Sequence, residues 1–281
     1  MKLQSHDSKP VVKLLMSIAV MMAVTFFTSI AVAIVTLSYP DINANSTAML
    51  VLQFFSSLMM FGVSALICAY MFDRDYRLYF NFNIPSRLGI WAMVLPFASI
   101  PLISVLQQWN DGLHFAGEEI FRQIQASAEA STEALIMTDS FTGLLFRLFV
   151  IAVTPAVVEE MFFRGVIQTT CIKLCRNTLV GIVISSAFFS LIHFELFSFL
   201  PRFVMSIVVG YLFVWSKTLW VPMIYHFLNN AAACVAYYIY GADSSSATED
   251  MPVMLVILSV VIILAFFASE IMRRRKEKQS V

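Results

Sequence analysis

Long apolar stretches are the feature that most limits what this chain can fold into. A helix needs about 20 mainly apolar residues to cross the hydrocarbon core of a bilayer. Such stretches occur at 12–38, 48–72, 88–107, 142–166, 179–200, 202–217, 219–240 and 252–271. Hydrophobic residues make up 59% of the 281-residue chain and charged residues only 13%, far from the composition of a soluble domain. The sequence therefore predicts an all-α, polytopic integral membrane protein with about eight transmembrane helices.

The positions of lysine and arginine predict how these helices are oriented, because both residues concentrate in cytoplasmic connections. Basic residues precede the first stretch and follow the second, fourth, sixth and eighth, ending in the basic run at 273–276. The alternate connections are mainly acidic, with Arg122 and Arg202 as the basic exceptions. We therefore expect both termini in the cytoplasm and an uncleaved first membrane helix. A formal net charge of zero without a long basic block argues against a nucleic-acid partner.

One long polar segment, at 110–140, separates the third stretch from the fourth. It is rich in alanine and glutamate, and Ile120, Phe121 and Ile124 give it an apolar face at helical spacing. This pattern predicts a helix lying on the outer membrane surface. A solvated connector is the alternative.

Two adjacent carboxylates, Glu159 and Glu160, lie inside the fourth apolar stretch. Ionisable groups at membrane depth are costly unless paired or hydrated, so they indicate a functional site that faces a protein interior or a water-filled cavity. Glu160 and Arg164 are four residues apart on one helix face, where they can form an ion pair. Glu159 is rotated by about 100° from Glu160 and has no such neighbour. We therefore predict that Glu160 braces the site and that Glu159 is the chemically free carboxylate.

Two of the four histidines, His193 and His226, also lie in apolar stretches. Asn230 follows His226 by one helical turn, which places an imidazole and an amide side by side on one helix face. Glu159 and His193 each lie 17 residues from Arg176, so two straight helices joined there would hold them at the same depth. We expect these side chains to meet in one site.

A buried carboxylate, an imidazole and a pair of hydrogen-bond donors can hydrolyse a carbonyl compound without a serine or cysteine nucleophile. Glu159 can take a proton from water, and His193 can help to hold that water. His226 and Asn230 can then stabilise the oxyanion of the tetrahedral intermediate.

These residues resemble the signature motifs of a known family. Three motifs in order, Glu159-Glu160-x-x-x-Arg164, Phe189-x-x-x-His193 and His226-x-x-x-Asn230, are similar to those of the CPBP (CAAX protease and bacteriocin-processing) family of intramembrane endopeptidases, also called Abi or type II CAAX prenyl proteases. The resemblance covers roughly residues 140–240. It implies about eight membrane helices around a polar cavity that opens to the cytosol. It also implies a general base at Glu159, supporting roles for Glu160 and Arg164, a water-positioning His193, and an oxyanion site at His226 and Asn230.

The resemblance divides the chain into three parts. These are N-terminal membrane helices with the outer-surface segment (1–140), a CPBP-like catalytic core (141–240), and a last membrane helix with a basic cytoplasmic tail (241–281). It implies a peptidase that cleaves a membrane-associated protein or peptide, lipidated or not, and the short chain indicates a bacterial inner membrane. The lipid bilayer is the other expected partner, and the oligomeric state stays open.

Metal dependence is a separate question, because this family is often described as metalloproteases. Two histidines and one glutamate are a plausible zinc set. The chain lacks a His-Glu-x-x-His helix, however, and Asn230 is a poor zinc ligand but a good oxyanion donor. The four cysteines show no spacing typical of a metal site. We therefore predict glutamate chemistry without a cofactor, with zinc as the alternative.

Two other classes of function also fit the buried charges. A proton- or ion-coupled transporter uses such groups as a relay, although the chain shows no internal repeat of the kind that many transporters contain. A non-catalytic membrane scaffold or immunity protein would use them only to fix helix packing, since buried ion pairs can serve specificity alone.

Overall fold

The computed structural model of the protein describes residues 8–39, 41–42, 45–73, 79–84, 87–241 and 251–279. Nine helices and no strands occur in these residues. The helices are α1 (Pro10–Ser38), α2 (Ser46–Phe72), α3 (Leu88–Asp111), α4 (Glu118–Ile136), α5 (Phe141–Cys175), α6 (Thr178–Leu191), α7 (Phe199–Ser216), α8 (Trp220–Tyr240) and α9 (Val253–Gln279). The chain is an all-helical polytopic membrane protein, as the sequence predicts.

Six segments of the described chain are long and apolar enough to cross a membrane: α1, α2, α3, α5, α9, and α7 with the preceding 3₁₀ turn Leu196–Ser198. The stretch 179–200 contains α6, whose 14 residues rise only about 21 Å, less than the roughly 30 Å of a hydrocarbon core. The stretch 219–240 corresponds to α8, which is long enough but contains His226, Asn229 and Asn230. The count of eight spans therefore stays a prediction.

α5 is the longest helix and packs at the centre of the bundle. Phe162 and Phe163 are fully buried there. The Phe163 ring packs edge-on against Phe189 of α6 and tilted against Phe61 of α2, with centroids 4.8 and 5.8 Å away. Because lipid is as apolar as these rings, close packing holds such helices together more than escape from water does. These contacts fix α5 between α2 and α6.

The turn between α5 and α6 brings the two helices into backbone contact. Arg176, in a left-handed conformation (φ 52°), ends α5, and Asn177 caps α6 by accepting a hydrogen bond from the Val180 amide. At Gly181 a Cβ atom would stand 2.6 Å from the backbone nitrogen of Ile172, so only glycine permits this approach. The hairpin fixes the depth of the end of α6 relative to α5.

The bundle has two ends that differ in charge. The basic end consists of the starts of α1, α3, α6 and α8 and the ends of α2, α5, α7 and α9. Its cations join neighbouring helices. Lys13 of α1 donates to a carbonyl in the last turn of α2 (3.3 Å), and Arg274 of α9 donates to a carbonyl in the last turn of α7 (2.6 Å). Arg87, just before α3, forms an ion pair with the buried Glu270 of α9.

The acidic end consists of helix α4, the connection between α6 and α7, the ends of α1, α3, α6 and α8, and the starts of α2, α5, α7 and α9. The Asn110 side chain of α3 bridges that connection with two hydrogen bonds, of 2.8 and 2.7 Å. α4 packs on the 3₁₀ turn Leu196–Ser198 within this connection. The Arg122 guanidinium stands 4.0 Å from the centroid of the Phe197 ring, and Gln125 donates to the Ser198 hydroxyl at 2.8 Å. The helix predicted within 110–140 is therefore present, while its place on the outer membrane surface stays a prediction.

Candidate active site

A cavity of about 640 Å³ lies inside the bundle between α5, α7 and α8. Its wall contains all six residues predicted from the sequence: Glu159, Glu160, Arg164, His193, His226 and Asn230. The volume falls within the range of about 300–1,000 Å³ that is typical of ligand-binding pockets. The structure therefore gathers the predicted side chains in one place large enough for a ligand.

The cavity extends towards only one end of the bundle. Gln107 of α3, Ser131 and Thr132 of α4, Ser198, and Arg202 of α7 line it, and all belong to the acidic end. Within the described ranges, no residue from the connections at the basic end lines it. The helix ends nearest both termini lie at the basic end. The cavity therefore reaches the end of the bundle opposite to the helix ends nearest the termini.

α5 carries the two glutamates on an α-helical segment that lies between two π-helical segments. Main-chain hydrogen bonds of the π type, which span five residues, occur in Leu148–Val153 and Met161–Gln168, on either side of Thr154–Glu160. Thr154 and Thr169 follow these π segments and donate their hydroxyls to carbonyls five residues back, both at 2.9 Å. π turns are frequent at functional sites. Because each one alters the rotation of the helix beyond it, they set the face of α5 on which the carboxylates lie.

Glu160 is 1% exposed and contacts two partners. Its Oε2 lies 3.0 Å from Nε of Arg164, which is the predicted ion pair, although these atoms are not aligned for a hydrogen bond. Its Oε1 accepts a 2.8 Å hydrogen bond from Nδ1 of His226. Arg164 in turn donates to the hydroxyl and the carbonyl of Ser206, at 3.2 and 3.4 Å. Glu160 and Arg164 thus link α5 to both α7 and α8.

Glu159 is the carboxylate without a partner. It is 8% exposed, lines the cavity, and forms no hydrogen bond or ion pair with any residue in the part of the chain that the structure describes. The sequence does not predict the bond between His226 and Glu160. Only Glu159 is left to act on a ligand through a free carboxylate.

His193 lies in the turn that follows α6. The apolar stretch 179–200 suggests a helix through this residue, but α6 ends at Leu191 and Phe194 adopts a left-handed conformation (φ 58°). Nδ1 of His193 lies 2.8 Å from the carbonyl oxygen of Phe189. Because a carbonyl oxygen only accepts, Nδ1 carries the proton, and Nε2 of the neutral ring keeps its lone pair. His193 can therefore accept a hydrogen bond from water in the cavity.

Phe189 is a member of the site whose contacts the sequence does not predict. Its ring centroid lies 5.1 Å from that of His193 and 6.3 Å from that of His226. The Arg164 guanidinium stands 5.1 Å from the same ring, close enough for a cation–π contact. The sequence indicated only the contact with His193, which lies four residues after Phe189. It gave no sign of the contacts with His226 and Arg164.

Asn230 binds a backbone carbonyl in addition to lining the cavity. Its side-chain amide donates to the Ile151 carbonyl at 3.2 Å. Pro155, four residues after Ile151, has no N–H to offer that carbonyl, so the asparagine compensates for a defect in α5. Asn229 donates to Oδ1 of Asn230 at 3.3 Å. An amide has two hydrogens, and the second one of Asn230 is left for a ligand.

The arrangement does not fit a zinc site. Within the described ranges, no three His, Cys, Asp or Glu side chains are placed so that they could hold a metal ion. Glu160 and Nδ1 of His226 bond to each other, and Nδ1 of His193 faces a carbonyl. Catalysis without a cofactor nevertheless stays a prediction.

Comparison with known proteins supports the resemblance seen in the motifs. Residues 141–232, which contain all six site residues, match the family model described as Rce1-like, "Type II CAAX prenyl endopeptidase Rce1-like". This region is Rce1-like. The resemblance read from the three motifs is thereby confirmed. At the level of the family, the Rce1-like region supports a CAAX-type intramembrane protease.

The other comparisons cover less of the chain. A stretch of 84 residues is 36% identical to "Uncharacterized protein YpbD" of Bacillus subtilis (strain 168), which corresponds to 28% of this chain and 40% of that protein. The match thus spans less than half the length of that relative. No solved structure matches the chain. The match of residues 141–232 to the Rce1-like model is therefore the main similarity to known proteins.

Proposed function

We propose that this chain is an endopeptidase that cleaves a peptide bond of a membrane-associated protein or peptide, with Glu159 as general base. The observation that carries the proposal is the partnerless Glu159 in a cavity whose other carboxylate, Glu160, is engaged by Arg164 and His226. An unpaired carboxylate at membrane depth is costly, and the transfer of a proton gives a reason for its presence.

The proposed reaction begins with a water held between Glu159 and His193. Nε2 of His193 accepts one hydrogen bond from this water, and Glu159 takes the other proton as the water oxygen attacks the scissile carbonyl carbon. His226 and Asn230 then donate hydrogen bonds to the oxyanion. When the tetrahedral intermediate collapses, the C–N bond breaks and Glu159 returns its proton to the leaving amine.

Glu160 prepares His226 for its role in this reaction. Its carboxylate fixes one proton on Nδ1, so Nε2 is the nitrogen that remains for a ligand. With a second proton on Nε2, His226 and Arg164 supply two positive charges against the two carboxylates of Glu159 and Glu160. An imidazolium balanced in this way can donate to an oxyanion.

The test compares two identical chemical changes. Glu159→Gln removes the base and keeps the side-chain shape, whereas Glu119→Gln makes the same change at an exposed position of α4. Purified protein in detergent is incubated with a peptide library, and new peptide termini are identified by mass spectrometry. We expect Glu159→Gln to lower the rate by about 10²–10⁴-fold, the usual contribution of a general base, and Glu119→Gln to leave it unchanged.

Full cleavage by Glu159→Gln would show that this residue is not the base. A transport role would be supported instead if the native protein cleaved nothing and Glu159→Gln abolished solute flux into reconstituted vesicles.

A further inference from the structure

We propose that the cavity receives its substrate from the extracytoplasmic side of the membrane, so that the substrate is a peptide segment exposed at that face. The nature of the reaction rests on the proposed function. The sidedness rests on charge and geometry alone, and it departs from the cytosolic opening that the family resemblance implies.

The distribution of basic residues orients the bundle. Lysine and arginine in short connections and near helix ends mark the cytoplasmic side of a membrane protein. Within the described ranges, the basic end carries Lys9, Lys13, Arg87, Lys173, Arg176, Lys217, Arg273, Arg274, Arg275 and Lys276. The acidic end carries Arg122 and Arg202, with Arg147 about two turns inside α5. This imbalance places the basic end in the cytoplasm.

Ion pairs leave this assignment unchanged. The two basic exceptions at the acidic end both have acidic partners, Arg122 with Glu118 at 3.3 Å and Arg202 with Glu195 at 2.7 Å. At the basic end, Glu270 contacts several arginines, but acidic residues have little influence on membrane orientation. The excess of positive charge at the basic end therefore remains the stronger signal.

The cavity is closed towards the basic end and reaches the acidic end. On the basic side its wall includes Tyr225, which is 1% exposed and hydrogen-bonded to Ser99 at 3.2 Å. On the opposite side it reaches α4 and the turn before α7. If the basic end lies in the cytoplasm, a cytoplasmic protein faces the closed side. A segment on the other face of the membrane reaches Glu159 directly.

The residues at the mouth indicate what kind of segment this is. Gln107, Ser131, Thr132 and Ser198 offer uncharged hydrogen-bonding groups, and Arg202 adds a cation. Such groups suit the main chain of an extended peptide better than they suit a hydrocarbon chain. The inferred substrate class is thus a translocated or membrane-anchored peptide presented at the extracytoplasmic surface.

Cysteine labelling tests the sidedness without requiring catalysis. Thr132→Cys at the cavity mouth and Thr178→Cys at the basic end make the same change at exposed threonines, in a background whose four native cysteines are replaced by alanine. Whole cells and permeabilised cells are treated with a membrane-impermeant maleimide. We expect Thr132→Cys to be labelled equally in both, and Thr178→Cys to be labelled only after permeabilisation. The reverse pattern, or labelling of both sites in whole cells, would overturn the proposal.

A C-terminal fusion provides a second measurement if the cysteine variants fold poorly. Green fluorescent protein fused after Val281 matures only in the cytoplasm, so we expect the native chain to give fluorescent cells. Dark cells, with activity from the corresponding alkaline phosphatase fusion, would place the C-terminus outside and refute the inference. Both readouts are made equally well with Glu159→Gln, so failure of the proposed chemistry and failure of the proposed orientation can be told apart.

Discussion

Replacing each of the two adjacent glutamates by glutamine should have opposite effects on stability. Glu160→Gln keeps a neutral acceptor for His226 but removes the negative charge beside Arg164, whose side chain is only 3% exposed. Glu159→Gln removes a charge that has no partner among the described residues. We expect Glu160→Gln to be destabilised and Glu159→Gln to be as stable as the native protein or more so, because only Glu160 directly contacts the buried Arg164 and His226 side chains.

The structure sets the size of the effect. Removing one member of a buried ion pair usually costs about 3–5 kcal/mol. Ser206 and the ring of Phe189 still contact the Arg164 guanidinium, so a loss near the lower value, about 3 kcal/mol, is expected for Glu160→Gln. For a chain of this size that corresponds to a fall in melting temperature of roughly 5 °C.

The assay is thermal unfolding in detergent micelles followed by intrinsic tryptophan fluorescence, with Glu119→Gln as the control for the same change at an exposed site. A double variant, Glu160→Gln with Arg164→Met, removes both charges and should recover most of the loss. Equal melting temperatures for the two single variants would refute the division of roles. Failure of the double variant to recover would show that the ion pair is not the cause.

Three further predictions follow from individual contacts. Asn230→Ala should lower the free energy of unfolding by about 1 kcal/mol, because it leaves the Ile151 carbonyl without its donor. Pro155→Ala restores a backbone N–H for that carbonyl, so Asn230→Ala should cost less in this background. An equal cost in both backgrounds, measured by chemical unfolding, would contradict the explanation. Gly181→Ala should cost about 1–3 kcal/mol because its Cβ meets α5 backbone, whereas Gly112→Ala, which gains only contacts of 3.5 Å or more, should leave thermal melting unchanged. Hydrogen bonding from the neighbouring histidine lowers the pKa of Glu118, so the stability that this pair gives the first turn of α4 is present above pH 4.5 and is lost as the pH falls through the lowered pKa. The protection factors of the amides in that turn, which correct for the intrinsic pH dependence of exchange, should therefore fall at acid pH, and this fall should be absent in Glu118→Gln.

Relations that are local in the sequence predicted much of the site. The contact between Glu160 and Arg164 follows from their spacing on one helix and needs no knowledge of the fold. The presence of Glu159 and His193 in one cavity was expected from their equal distances to the turn after α5. The close approach of the two helices at Gly181 preserves this relation, although His193 lies beyond the end of α6.

Contacts between helices were beyond the reach of the sequence. Glu159 and Glu160 are adjacent, so which of them meets His226 depends on the rotation of α5 against α8, and the π turns that affect this rotation have no clear sequence signature. The bond between Asn230 and the carbonyl that Pro155 leaves without a donor was also beyond the reach of the sequence. Loop charges identify the basic end and leave open at which end a cavity reaches the surface. The three-part division of the chain likewise stays a prediction.

Helix α4 is attached near both of its ends, at its C-terminal end through the buried Ile136, and it contributes exposed side chains to the cavity between them. Arg122 and Gln125, in its first half, hold it to the turn Leu196–Ser198. Ser131 and Thr132, in its second half, line the cavity mouth. Because Ser131 and Thr132 are exposed, these two positions can change in sequence without loosening the helix. If the chain is the proposed endopeptidase, selectivity can therefore diverge through a few α4 side chains while the proposed reacting groups stay fixed, and an engineer would change those positions to redirect cleavage.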